Sequence, residues 1–507
     1  MRFCHILVTL LVATCVPAFT SGQHRTAGSW HSNNSSAPTF KHDEDVRAVW
    51  ASQLPYLTAK ASTGAPEDLY EVQEDVYGML EAAAAVGDLG LLEDVATIVL
   101  ASLPYRKLVS NYTFDLGGSY ISFDLDPPVL LWVALDKKTN TLMEDVLSSS
   151  QWIGLFARAA RLIAAVPNES RGANMTALLA ATSHVVVLDH VWRWALPEGG
   201  NTQGIFAVHA WGCGWPLYPS QMQFTHSNFN AVRLNRSFQV SEPDLNVSYC
   251  NAVTDTDLWI ISAAANVLLA SELDPVAVSF DNETARELRD YMNAGVALVD
   301  SRIRADPVQG STFLFDPGSW DSTQDYYYAN DTGLRFPSGQ HAPPPHGTAT
   351  WDISHFQRWV CVGITLAEAR MHGVINSRFS ANSQLITPVP YVTALATQVA
   401  TAFWNGDQRL PLFNNFQSGA NGWYRVNYSS RPWFGYGPSD VSDGGVSGGY
   451  LLLGIVGGPA VRDILEPLQT ALENLAYTSD LDVIAHRHEH FWAHWDVNEN
   501  GTGPCRT

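Results

Sequence analysis

Asp352, His355 and Arg358 recur at every third position of the stretch TWDISHFQRW, directly after the loop HAPPPHGTA. A carboxylate one helical turn before an imidazole can hydrogen-bond it, fix its tautomer and raise its basicity. A guanidinium one turn further on puts a positive charge on the same face. Together they supply the parts of a general base, a general acid or a charge neutraliser. The element that must present them is a helix. Thr350 is the expected N-cap and Trp351 the first helical residue, which places Asp352 where the macrodipole favours a carboxylate. The competing reading is a satisfied polar network that ties the Pro-rich loop to the helix and does nothing else.

A second constellation lies in FQSGANGWYRVNYSSRPWFGYGPSD, where Asn421, Tyr424, Arg425 and Asp440 stand among glycines and aromatics. Glycine lets backbone approach a ligand closely, so such a loop can line a cleft. Hydrolysis of a glycosidic bond needs two carboxylates about 5 to 10 Å apart, one protonated and one ionised. Asp352 and Asp440 are the expected pair, with Asp316, Asp321, Asp325 and Asp443 in reserve. Elimination beside a uronate carboxyl needs instead a base such as His355 or Tyr424 and a neutraliser such as Arg425 or Asn421.

The chain carries 17 Trp, 18 Tyr and 21 Phe, a richness in aromatic faces that suits stacking on sugar rings. Clusters in Gly-, Pro- and Asn-rich loops matter most, because rings on loops have no obvious core to fill. Trp215, Trp320, Trp351, Trp423 and Trp433, with Arg358 and Asn421, are the expected substrate-binding positions. Near the C-terminus His486, His488, His490 and His494 crowd the sequence AHRHEHFWAHWD, and His490 and His494 stand at i, i+4. The order is not H-E-x-x-H, so packing of an aromatic helix is the preferred reading over a zinc or copper site. GGNTQG and SGG match no phosphate-binding loop, and no cofactor or metal is expected.

The positioning scaffold reads as mainly α. Apolar periodicity marks about a dozen helical segments between residues 45 and 478, and YTFDLGGSYISFDL alternates as a short hairpin. Long Gly/Pro/aromatic stretches separate them, and no fixed repeat of 30 to 50 residues appears. The expected organisation is a signal peptide over 1–22, a disordered leader over 23–42, one helical domain over 43–497 and a tail over 498–507.

Other totals narrow the function. MRFCHILVTLLVATCVPAFTSG has the charge, apolar run and small-residue end of a secretory signal, which predicts a secreted, extracellular protein without a membrane span. Asn-X-Ser/Thr acceptors at Asn33, Asn34, Asn111, Asn168, Asn174, Asn235, Asn246, Asn282, Asn330, Asn427 and Asn500 agree, and make N-linked glycans expected. Cys213, Cys250, Cys361 and Cys505 remain beyond the signal, an even number compatible with two disulfides, Cys213 with Cys250 preferred. A net charge of −21 argues against nucleic acid or an anionic membrane as partner.

About a dozen Ala-rich helices joined by long loops, over about residues 45 to 495, resemble in architecture the secreted (α/α)6-toroid glycosidases and polysaccharide lyases. The resemblance implies paired helices closing into a ring, with a sugar cleft in the loops at one end of the inner helices. No catalytic signature matches residue by residue. The expected activity is therefore acid/base cleavage of a glycosidic linkage in a poly- or oligosaccharide, hydrolysis before elimination because the strong negative charge disfavours uronate polymers. A non-catalytic secreted carbohydrate-binding or surface glycoprotein is the alternative.

Overall fold

Three helices open the described chain: α1 (Asp43–Ala61), α2 (Pro66–Val86) and α3 (Leu89–Ala101). The structure is a computed structural model describing residues 43–116, 119–136, 140–195, 255–305, 313–315, 328–329, 333, 351–375, 388–423, 437–439, 450 and 452–476. Helices account for 72% of what is described, with a few short strands. Local chemistry explains the ends. Pro66 opens α2, where its missing N–H costs nothing, and Gly87 closes it in the left-handed region at φ 73°. Asp88 caps α3 by accepting from Leu91 N at 3.0 Å.

The expected hairpin forms as β1 (Lys107–Leu116) and β2 (Ser119–Leu131), an antiparallel pair whose register shifts between Val109 and Asn111. With β3 (Ala134–Asp136) and β4 (Thr141–Met143) it makes a four-stranded sheet in the order β2-β1-β4-β3.

Next comes α4 (Val146–Ala164), capped by the Asp145 side chain on Leu147 N and Ser148 N. It leads to α5 (Ala173–Thr182), a π-helical stretch Ser183–Val191 and α6 (Trp192–Ala195). Beyond it lie α7 (Asp255–Leu273), α8 (Asn282–Arg302) and the hairpin β5 (Ile303–Ala305) with β6 (Phe313–Phe315). The strand β7 (Tyr328–Ala329) pairs with β8 (Gly422–Trp423). The last helices are α9 (Ile353–Met371), α10 (Pro388–Gln398), whose end passes into a π turn at Val399–Phe403, α11 (Leu452–Gly457) and α12 (Pro459–Ala476).

Two layers of polar contact show how the central helices run. Near their N-terminal ends, Gln151 of α4 bonds Gln73 of α2, and Arg358 of α9 reaches Tyr70 of α2 and Asp255 of α7. Further along, Arg158 of α4 joins Glu81 of α2 to Glu368 of α9, while Thr365 of α9 meets Ser262 and Asn266 of α7. The two layers occur in the same order on every helix, so α2, α4, α7 and α9 are parallel. α3, α5, α8 and α10 pack against α2, α4, α7 and α9 respectively, and α11 touches both α2 and α9.

Every residue of α4 from Ser148 to Ala164 and of α7 from Asp255 to Ala270 is buried, so these two helices are enclosed on all sides, polar groups included. Both α7 and the segment Ala173–Trp194 are long and apolar enough to cross a membrane, yet 83% of the α7 window is covered by other parts of the chain. Gly154 allows α4 and α7 to approach closely: a Cβ there would lie 2.5 Å from the Trp259 ring. Gly154→Ala should therefore destabilise the fold by about 1 to 3 kcal/mol through overpacking, read as a lower urea midpoint with an unchanged slope.

Asp75 sits on the face of α2 turned to Lys60 of α1. Burial first, and then neighbouring Glu74, push its carboxyl up to about 7, with Lys60 partly offsetting them. The folded state thus holds this proton more tightly than the unfolded chain. The stability it contributes is complete below about pH 4 and is lost as pH rises toward 7. Asp75→Asn should match the parent at pH 4 and exceed it at pH 8 by about 2 to 4 kcal/mol in chemical denaturation, given that linkage. Equal midpoints at both pH values would show the carboxyl to be unperturbed.

Candidate functional site

The helix α9 begins two residues later than its sequence suggests, and Asp352 itself is the N-cap in place of Thr350. Its carboxylate accepts from His355 N at 3.1 Å and from Ser354 Oγ at 2.5 Å. It also accepts from His355 Nδ1, which lies 2.9 Å from both carboxylate oxygens. That bond assigns the proton to Nδ1 and leaves the basic lone pair on Nε2. The loop after α10 straps this helix start in place, with Ile353 N donating to Asn415 O and Gln417 N to Trp351 O, and Tyr450, just before α11, donates from Oη to Ile353 O.

Burial reassigns two of the expected roles. Asp352 is 0% exposed, so it cannot touch a substrate and acts on His355, whose side chain is 14% exposed. Trp351, expected to stack on sugar, is also fully buried, edge-on to Trp359 at 5.8 Å, and offers no face to a ligand. Its apolar surface staples the helix start, a use for which an aromatic before an N-cap is well suited.

Arg358 does lie on the face of His355, but it points inward at 4% exposure. Its Nη2 donates to Tyr70 Oη at 2.6 Å, its Nη1 lies 3.6 Å from Asp255 Oδ2, and the guanidinium stands 5.9 Å over the Tyr70 ring. Burial opposes the guanidinium charge, and Tyr70, Asp255, Glu74 and Asp352 more than restore it, so the group is held cationic. Burial likewise raises the Tyr70 phenol well above its ordinary range, Arg358 only partly countering it, so Tyr70 stays a neutral donor to Glu74.

Three carboxylates, Glu74, Asp255 and Asp352, thus surround one guanidinium at the N-terminal ends of α2, α7 and α9. Sequence reasoning missed Tyr70, Glu74 and Asp255. A signal existed: Tyr70 and Glu74 are one turn apart in DLYEVQED, and TDTD opens a strongly apolar helix, a pattern readable as ordinary N-terminal acidity.

Asn421 is held by the protein. Its Oδ1 accepts from Gly422 N at 3.0 Å and Ser439 N at 2.9 Å, and its Nδ2 donates to Ser439 Oγ at 3.0 Å, so it organises the loop. Half-buried Trp423 donates from Nε1 to Gly333 O at 2.9 Å and joins the β7–β8 pair. Tyr424, Arg425, Asp440, Trp215, Trp320 and Trp433 lie outside the described residues, as do Asp316, Asp321, Asp325, Asp443 and the four C-terminal histidines. So do Cys213, Cys250 and Cys505, while Cys361 is a free, buried thiol that burial pushes up to about 12. Among the described residues no group of three or more His, Cys, Asp or Glu is placed to hold a metal ion.

Comparison of the chain with protein-family models, with curated proteins and with solved structures finds no match.

Proposed function

We propose that this chain is a secreted carbohydrate-active enzyme that cleaves a glycosidic linkage, built as an (α/α)6 toroid whose cleft opens at the N-terminal ends of its inner helices. Four parallel helices backed by alternate partners, with α11 reaching both α2 and α9, support the ring. One observation carries the chemistry: Asp352, His355, Arg358, Tyr70 and Asp255 come from three helices to one end of it.

In this reading His355, held in one tautomer by Asp352, exchanges a proton with the glycosidic oxygen or the attacking water through Nε2. Asp255, whose side chain is 11% exposed, supplies the second carboxyl function that hydrolysis requires. Arg358, itself held by Tyr70, orients Asp255. Asp440, Tyr424 and Arg425 remain proposed partners from the neighbouring loop.

Hydrolysis is favoured over elimination on charge. A lyase must neutralise a uronate carboxylate, and here the guanidinium is already engaged by three carboxylates and a phenol. The proposed substrates are neutral poly- or oligosaccharides.

The test is turnover of the full chain on a panel of neutral and acidic glycans. His355→Ala and Asp255→Asn should each abolish product release while unfolding stays cooperative. Wild-type turnover in both variants would reject the site. Glycan binding without any turnover by the parent protein would instead establish the non-catalytic carbohydrate-binding reading.

A further inference from the structure

We infer that Asn168 and Asn282 carry N-linked glycans on the end of the molecule opposite the polar cluster, and that Asn174, although it lies in an equally good acceptor sequence, stays bare. The inference rests on the proposal of secretion. Three acceptors fall where side chains are described: Asn168-Glu169-Ser170, Asn174-Met175-Thr176 and Asn282-Glu283-Thr284.

The structure separates them. Asn168 lies exposed in the turn between α4 and α5, and Asn282 exposed at the first position of α8. Among the described residues, neither side-chain amide has a hydrogen-bond partner. Asn174 Nδ2, by contrast, donates to Thr97 Oγ1 of α3 at 2.8 Å. Around it Glu93 of α3 caps the start of α5, accepting from Asn174 N at 2.8 Å and Met175 N at 3.0 Å. A sugar on Nδ2 would have to occupy the seam where α3 and α5 meet.

The two open acceptors share one end of the fold. The parallel helices α4 and α7 start beside Gln73 and Arg358, and Asn168 and Asn282 follow their far, C-terminal ends. Arg171 ties those two ends together through its Nη1 contact with Asp274 Oδ2 at 2.5 Å. The same side chain donates to Val166 O at 2.8 Å and Ala164 O at 3.1 Å, closing α4. Two glycans there would shield one face from other molecules and leave the proposed cleft open.

The modification uses a polyprenyl-diphosphate oligosaccharide as donor. The amide nitrogen attacks the anomeric carbon and a C–N bond forms. The anomeric C–O bond to the diphosphate breaks, the diphosphate leaves with the electron pair, and the amide gives up one proton. It requires an accessible Asn in N-X-Ser/Thr, which the exposed turns supply.

The full chain would be expressed in a eukaryotic secretory host, and the folded product mapped by peptide mass after enzymatic deglycosylation in oxygen-18 water, which marks each occupied Asn as it becomes Asp. Label is expected at Asn168 and Asn282 and not at Asn174. Asn168→Gln and Asn282→Gln should each remove one glycan mass and leave glycan-panel turnover unchanged within twofold. Asn174→Gln should leave the glycan mass unchanged and lower the melting temperature. Label on Asn174, or bare Asn168 and Asn282 in a chain glycosylated elsewhere, would overturn this assignment alone. A chain without label at any acceptor would overturn the secretion reading with it.

Discussion

Arg158→Met is expected to cost about 3 to 5 kcal/mol of folding stability, the scale for removing one partner of a buried ion cluster. Arg158 donates from Nε and Nη2 to Glu81 at 2.5 and 2.8 Å, and from Nη1 and Nη2 to Glu368 at 2.7 and 3.0 Å, with all three side chains almost wholly covered. Without it Glu81 loses its guanidinium partner and Glu368 keeps Arg161, at 2.8 Å. Methionine matches the length of the stem and restores none of the charge.

The pH dependence identifies the cause. Burial alone would raise the Glu368 carboxyl, but Arg158 and Arg161 more than offset it and hold it down at about 2. A depressed carboxyl contributes stability that is complete above its unfolded value and lost as pH falls toward the folded one. In Arg158→Met that contribution disappears, so the penalty should be largest near pH 7 and shrink as pH falls from about 4.5 toward 2, where Glu368 of the folded parent also takes up a proton. Adding Glu81→Leu and Glu368→Leu should recover most of the loss, because an apolar replacement of the whole cluster leaves no buried charge. Urea titrations of the three proteins at pH 4 and pH 7 read all of this, and a loss independent of pH would point to packing instead.

The second large effect is on rate. Asp352→Asn keeps an effective N-cap, since asparagine accepts from His355 N as aspartate does, and its stability should stay within about 1 kcal/mol of the parent. It removes the negative charge that holds the proton on His355 Nδ1. Under the proposed function kcat should fall by about 10²- to 10⁴-fold with KM little changed. Asp352→Ala should show the same loss of kcat plus about 1 kcal/mol of lost capping. An Asn variant with the parent's kcat would reduce Asp352 to a helix cap.

Local chemistry was readable in the sequence wherever near neighbours decide it. Pro66 and Gly87 bound α2, GG at 117–118 separates two alternating strands, and the pairing of Asp352 with His355 follows from one helical turn. Even the misplaced cap is a local near-degeneracy, because threonine and aspartate are both residue types whose side-chain oxygen can accept from a backbone N–H two or three residues on. Distant neighbours decided the rest. Tyr70 precedes its partner Arg358 by 288 positions, and Glu368 follows Arg158 by 210. No pattern within a window of a few turns distinguishes an arginine that will face solvent from one that will be enclosed by three carboxylates. Nor does it distinguish a tryptophan on a cleft wall from Trp351, whose ring is covered by Trp359. Which charged and aromatic groups are removed from water depends on how helices pack across the whole chain, and that packing set the role of each residue here.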